Sequence, residues 1–135
     1  MKYFSPEISK RYCGKENYFE VADKAIKYML NKPLKFDGEK MIKGVCVRHL
    51  VLPQNVDNSK KILDWFSSIK DSAYINIMSQ YTPFGMLDKY PELNRKITRR
   101  EYDSVLHYAI DLGLKNALYQ EFESQSTKYI PDWDW

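Results

Sequence analysis

Apolar positions along this chain follow two alternating periods, one helical and one extended. Val21, Ala22, Ala25, Ile26, Met29 and Leu30 recur at helical spacing and predict an amphipathic helix from Asn17 to about Leu30. A shorter helix is predicted ahead of it. Ser5 can cap, Pro6 fits the first helical position, Glu7 favours the positive end, and Cys13-Gly14-Lys15 supplies the stop. Pro33 and Asp37-Gly38 break the period, and Leu34 to Lys40 reads as a loop. Lys43 to Leu52 is β-branched and apolar up to Pro53, and its near-continuous apolar character implies a strand buried on both faces. Asp57 or Asn58 caps the next helix, whose stripe is Ile62, Leu63, Phe66 and Ile69. Ala73 to Met78 is a second strand, closed by the turn residues from Tyr81 to Gly85. Met86 to Ile97 lacks a period and is expected to loop over the surface. Thr98-Arg99-Arg100-Glu101 is a capping box, followed by the stripe Tyr102, Val105, Leu106, Ala109 and Ile110 and a stop at Gly113. Asn116 to Phe122 is a third strand candidate, and the tail to Trp135 is irregular.

The order helix, strand, helix, strand, helix, strand predicts an α/β fold of about three parallel strands with covering helices. Three parallel strands cannot close on themselves, and a complete (β/α)₈ barrel takes about 250 residues. The 135 residues therefore read as the C-terminal half of a partial TIM-like barrel, a single partial domain over 1–135. No repeat, low-complexity tract or linker divides it.

Composition narrows the class without naming a function. With 44% hydrophobic and 29% charged residues, disordered and fibrous classes are excluded. A net charge of +3 does not by itself demand a nucleic-acid or anionic-membrane partner. No apolar run reaches the roughly 18 residues of a membrane helix, and MKYFSPE has no signal-peptide core, so a cytoplasmic location is expected. Two cysteines make no disulfide framework.

Ligands of parallel α/β sheets lie beyond the carboxyl ends of the strands. The polar residues expected there are Lys2, Arg48, Gln80, Tyr81, Glu121 and Gln125. Arg48 carries the clearest chemistry, since a permanently charged fork suits a carboxylate or ribose oxygens. Its plainer reading is an arginine snorkelling from the strand toward a surface carboxylate. His49, one residue on, points to the opposite face and reads as a hydrogen-bonded core histidine. Neither Cys13 nor Cys46 has a partner at metal spacing, and His107 lacks a second ligand one helical turn away. There is no phosphate-cradling glycine loop and no nucleophile elbow. The basic and aromatic stretch Lys89-Tyr90, Arg95-Lys96 and Arg99-Arg100 is diluted by Glu92 and Glu101 and reads as a solvated face, not a nucleic-acid interface.

Several segments together resemble a known family. Lys2-Tyr3-Phe4-Ser5-Pro6-Glu7, Tyr12-Cys13-Gly14, Val47-Arg48-His49-Leu50-Val51-Leu52-Pro53 and Ile77-Met78-Ser79-Gln80-Tyr81-Thr82-Pro83 occur in that order. They resemble the C-terminal part of radical S-adenosylmethionine (SAM) proteins of the pyruvate formate-lyase activating enzyme type. Tyr90-Pro91-Glu92-Leu93-Asn94-Arg95, Thr98-Arg99-Arg100-Glu101-Tyr102 and Pro131-Asp132-Trp133 resemble its activase-related branch. The resemblance implies a TIM-like barrel, a [4Fe–4S] cluster on an N-terminal C-x-x-x-C-x-x-C motif, and SAM as cosubstrate. It also implies a 5′-deoxyadenosyl radical that abstracts hydrogen, with a protein of the glycyl-radical kind as a candidate substrate. Lys2 falls at the lysine of the family's Asp-x-Lys, and Arg48 at the arginine that reaches the cosubstrate. Gln80-Tyr81 stand where the family has a histidine. The cysteine motif is absent, so neither cluster nor cosubstrate is expected on this chain alone. The expectation is a truncated or split oxidoreductase, inactive without an N-terminal half-barrel or a partner chain that supplies it. The alternative is a non-catalytic, stand-alone α/β module that binds a small anion or a protein.

Overall fold

The computed structural model describes residues 1–119. Helix α1 (Pro6–Cys13) begins where Ser5 Oγ accepts from the Ile8 amide, and it ends at Gly14, whose φ of 74° is the left-handed stop expected of a glycine. Helix α2 spans Tyr18–Met29. A hairpin follows, β1 (Lys35–Asp37) antiparallel to β2 (Lys40–Lys43). Strand β3 (Cys46–Leu50), helix α3 (Val56–Ser67), strand β4 (Tyr74–Met78), a 3₁₀ turn (Pro91–Leu93), helix α4 (Arg99–Asp111) and strand β5 (Ala117–Tyr119) complete the order.

Strands β3, β4 and β5 form one parallel sheet in sequence order, so the mixed α/β character with three parallel strands is as expected. Val47, Val51, Ile75 and Ile77 point to one face and pack with Leu63 and Phe66 of α3 and Tyr102, Val105 and Ala109 of α4. Both crossover helices therefore cover the same face. Tyr102 ties helix to strand, its hydroxyl donating to the Ile77 carbonyl at 3.1 Å. The opposite face is not covered in this way: Cys46 and Arg48 of β3 are exposed, as is Leu118 of β5.

Five expectations are corrected. The first sheet strand is not buried on both faces; helices lie on one side only, so its pattern alternates. The Leu34–Lys40 segment is not a plain loop, because Asp37 and Lys40 pair across a two-residue turn in which Gly38 takes φ 60°. Helix α3 starts after Asn55, which stands two or three residues before the expected caps Asp57 and Asn58. Met86–Ile97 is more than a surface loop, since Leu93 and Ile97 are buried and Glu92 and Arg95 are paired with α1 and α4. Finally, Val21, Met29 and Ile110 belonged to core stripes but are exposed. On α2 the packed side is set by Phe19, Asp23 and Ile26, with Phe19 edge-on to Trp65 and Trp65 Nε1 donating to Asp23. The third strand is described as Ala117–Tyr119; Glu121, Gln125 and the Pro131-Asp132-Trp133 motif lie outside the described residues.

Candidate functional site

The amino-terminal segment lies along the edge of β3 that β4 does not use. In the parallel ladder the Val45 carbonyl and the Val51 amide face β4, which turns the Arg48 carbonyl to the other edge. The Met1 ammonium donates to that carbonyl at 2.7 Å. Further along, the Lys2 amide donates to the Tyr18 hydroxyl, and the Asn58 side chain gives its Nδ2 to the Lys2 carbonyl while its Oδ1 accepts from the Phe4 amide. Asn58 thus serves the neighbouring backbone as another strand would, and α3 is left with Asn55 at its start.

His49 anchors the same segment from the covered face. It is fully buried; its Nδ1 donates to the Met1 carbonyl at 2.8 Å, so Nε2 of the neutral ring accepts from Ser59 Oγ at 2.8 Å. Burial holds its pKa down to about 4. The core-histidine reading of His49 is thereby met in geometry.

Arg48 projects from β3 on the open face, where its side chain is exposed and joins no salt bridge among the described residues. Its register partner on β4 is Asn76, and Asn76 in turn is level with Leu118 of β5. Sequence reasoning passed over Asn76. The available signal was an amide in the middle of the apolar strand Tyr74-Ile75-Asn76-Ile77-Met78. Its Oδ1 is buried and accepts no hydrogen bond, and the same is true of Ser79 Oγ at the strand end. Cys46 lies on the open face two residues before Arg48; burial pushes its thiol pKa up, against the pull of the guanidinium, so it is a poor thiolate at neutral pH.

The structure separates the expected site residues. Met1 bonds the Arg48 carbonyl, while the Lys2 backbone is held by Tyr18 and Asn58, and Gln80 lies two residues past the end of β4. Tyr81 turns away, its hydroxyl donating to the Leu93 carbonyl at 2.7 Å. It anchors the strap across the strand ends. Glu92 on that strap accepts from Arg11 and from the Tyr12 hydroxyl, and Glu101 accepts from Arg95, Thr98 and the Gln54 amide after β3. Arg95 and those amides hold the Glu101 carboxyl down to about 2. The family-like motifs around Glu92, Arg95 and Glu101 are therefore braces for the rim of the sheet.

A concavity of about 730 Å³ lies elsewhere, on the outer helical layer between Lys60 of α3 and Arg99, Asp103 and His107 of α4. Its mixed charges single out no ligand. No group of three His, Cys, Asp or Glu residues among the described residues could hold a metal ion, and Cys13 and Cys46 sit apart on α1 and β3. No described helix is long and apolar enough to cross a membrane.

No family model matches the chain, and no solved structure matches it. The chain is similar to the uncharacterized protein MJ0674 of Methanocaldococcus jannaschii, with 33% identity over 109 residues. That stretch covers 80% of this chain, which spans only 29% of the length of the relative.

Proposed function

We propose that this chain supplies the C-terminal strands of a radical SAM barrel of the pyruvate formate-lyase activating enzyme type, with its open sheet face as part of the inner wall. One observation carries the reading: three parallel strands in sequence order have both crossover helices on one face, leaving Arg48 and Asn76 on the other. In a (β/α) barrel the helices form the outer ring and the opposite strand face looks inward. The outward-turned Arg48 carbonyl and its partner Met1 fit a neighbouring strand on that edge. The family resemblance of the segments around Arg48 and Gln80 adds the chemistry.

A [4Fe–4S] cluster does not fit this chain, because its two cysteines lie on separate elements and no third ligand joins them among the described residues. The cluster would belong to other polypeptide. A cosubstrate fits better, since the exposed Arg48 guanidinium stands on the face that the helices leave open. Arg48 would hold an anionic group of SAM, with Lys2 and Gln80 at the rim. In the family, bound SAM supplies a 5′-deoxyadenosyl radical for hydrogen abstraction from a substrate, in this case a candidate glycyl-radical-type protein.

The test is co-expression with the polypeptide encoded immediately upstream of Met1, followed by anaerobic iron–sulfur loading and assay of 5′-deoxyadenosine. The expected result is an upstream C-x-x-x-C-x-x-C, nucleoside release that needs both polypeptides, and a fall of at least about tenfold in Arg48→Ala. An upstream region without the motif, beside a monomeric and cooperatively folding chain, would leave the stand-alone binding module instead.

A further inference from the structure

We infer that the apolar loop tip Phe84-Gly85-Met86, with the cationic side chains Lys89 and Arg100 at the same end of the sheet, is a docking surface. Its occupant is the acidic, aromatic segment 120–135 of the same chain. The tip is built to stand out. Phe84 and Met86 are 70% and 88% exposed on either side of Gly85, whose φ of 81° takes a left-handed turn. Below the tip the loop is tied down, by the Tyr81 hydroxyl on the Leu93 carbonyl and by the Tyr90 amide on the Leu87 carbonyl. Large apolar side chains held in water at a fixed place mark a contact surface. Lys89 and Arg100 are exposed, and neither joins an ion pair among the described residues. Glu92 of the strap and Glu101 of α4 are already committed to Arg11 and Arg95.

Position, reach and charge select the occupant. Tyr119, the last residue of β5, is level with Ile77 of β4, one residue before that strand ends and the loop begins. Tyr102 brings the first turn of α4 to the same level through its bond to the Ile77 carbonyl. Segment 120–135 lies outside the described residues, and it follows β5 at the end of the sheet where the tip and α4 start. Its 16 residues reach up to about 50 Å, many times the spacing of adjacent strands. It carries Glu121, Glu123, Asp132 and Asp134 against one lysine, Lys128, and Trp133 and Trp135 alternate with the last two acids. The carboxylates suit Lys89 and Arg100, and the indole rings suit Phe84 and the Met86 sulfur. A tethered segment meets such a surface at an effective concentration on the order of millimolar, ahead of a separate protein. Seated there, it covers the strand ends, beyond which ligands of parallel sheets lie.

Limited trypsin digestion of the full chain reads the contact at Lys128, the single tryptic site of the segment. Cleavage at Lys128 is expected to be at least about tenfold faster in Phe84→Ser/Met86→Ser and in Arg100→Glu than in wild type, with cleavage at Lys40 of the hairpin unchanged. Asp132→Asn/Asp134→Asn also speeds it in wild type and adds less in Arg100→Glu, the coupling that a direct charge contact requires and a fold defect does not. Cleavage at Lys128 as fast in wild type as in the variants overturns the inference. Acceleration at Lys40 and Lys128 together overturns it too, since the tip then belongs to the fold. Protection that grows with chain concentration places the segment on a second copy and overturns the same-chain occupant. Each of these results leaves the barrel reading standing, because trypsin reports on neither cluster nor cosubstrate.

Discussion

The two faces of the β3–β4–β5 sheet come from the same short stretches of sequence and are built to opposite rules. On the covered face Val47, Val51, Ile75 and Ile77 are sealed by α3 and α4, and buried His49 has both ring nitrogens satisfied, although Ser79 Oγ at the strand end is unmatched. On the open face, one residue away along each strand, Arg48 stands exposed and Asn76 keeps an oxygen without a donor. Alternation in a strand makes this possible, since neighbouring residues share a backbone but not an environment. The difference separates residues that make the fold from residues the fold presents.

Substitutions on the covered face should therefore be the most damaging to stability. Phe66 is completely buried against the sheet, and Phe66→Ala is expected to cost about 3–5 kcal/mol in urea unfolding. A loss below about 1 kcal/mol would mean that α3 does not seal this face.

His49 gives the covered face a pH signature. Its pKa of about 4 in the fold lies below the ordinary value near 6.5, so the neutral ring stabilises the native state and protonation favours unfolding. Stability is expected to be full above pH 6.5 and to fall by on the order of 3 kcal/mol as pH drops toward 4. In His49→Leu that slope disappears, on a chain already weakened by orphaning Ser59 and the Met1 carbonyl. A wild-type chain whose stability is flat from pH 7 to 4 would contradict the buried neutral ring.

A smaller effect belongs to the rim that joins the two faces. Glu101 is held down to about 2, first by Arg95, so its stabilisation is present above the ordinary carboxyl range near 4.3 and fades as pH falls toward 2. Glu101→Gln is expected to cost about 1 kcal/mol at neutral pH, the scale of a lost helix cap, and to flatten the acid limb below pH 4. An unaltered acid limb would show that the brace does not matter.

Much of the covered half was legible in the sequence, because its signals are local. Ser5, Gly14 and the Thr98–Glu101 capping box act within one helical turn, and the structure places them as the pattern requires. His49 was legible too, since strand parity put it opposite Arg48. What escaped depends on particular pairings that leave no period in the sequence. The hairpin carries Lys35 directly opposite Lys43, so Asp37-Gly38 read as a breaker when it was a turn between polar strands. The strap from Met86 to Ile97 has no period because single residues pin it, Glu92 to Arg11 and Arg95 to Glu101. Strand parity alone could not say which face the helices would leave open, and so Asn76 was missed.

The most direct measurement of the contrast between faces is the unfolding free energy of Arg48→Ala and Asn76→Leu beside that of wild type. Residues that are presented and not packed should be nearly free to change. Arg48→Ala is expected to fall within about 0.5 kcal/mol of wild type, and Asn76→Leu to be as stable or more so, since it removes an unmatched buried acceptor. A loss of about 2 kcal/mol or more in either variant would place that residue in the fabric of the fold and contradict the open face as a ligand surface.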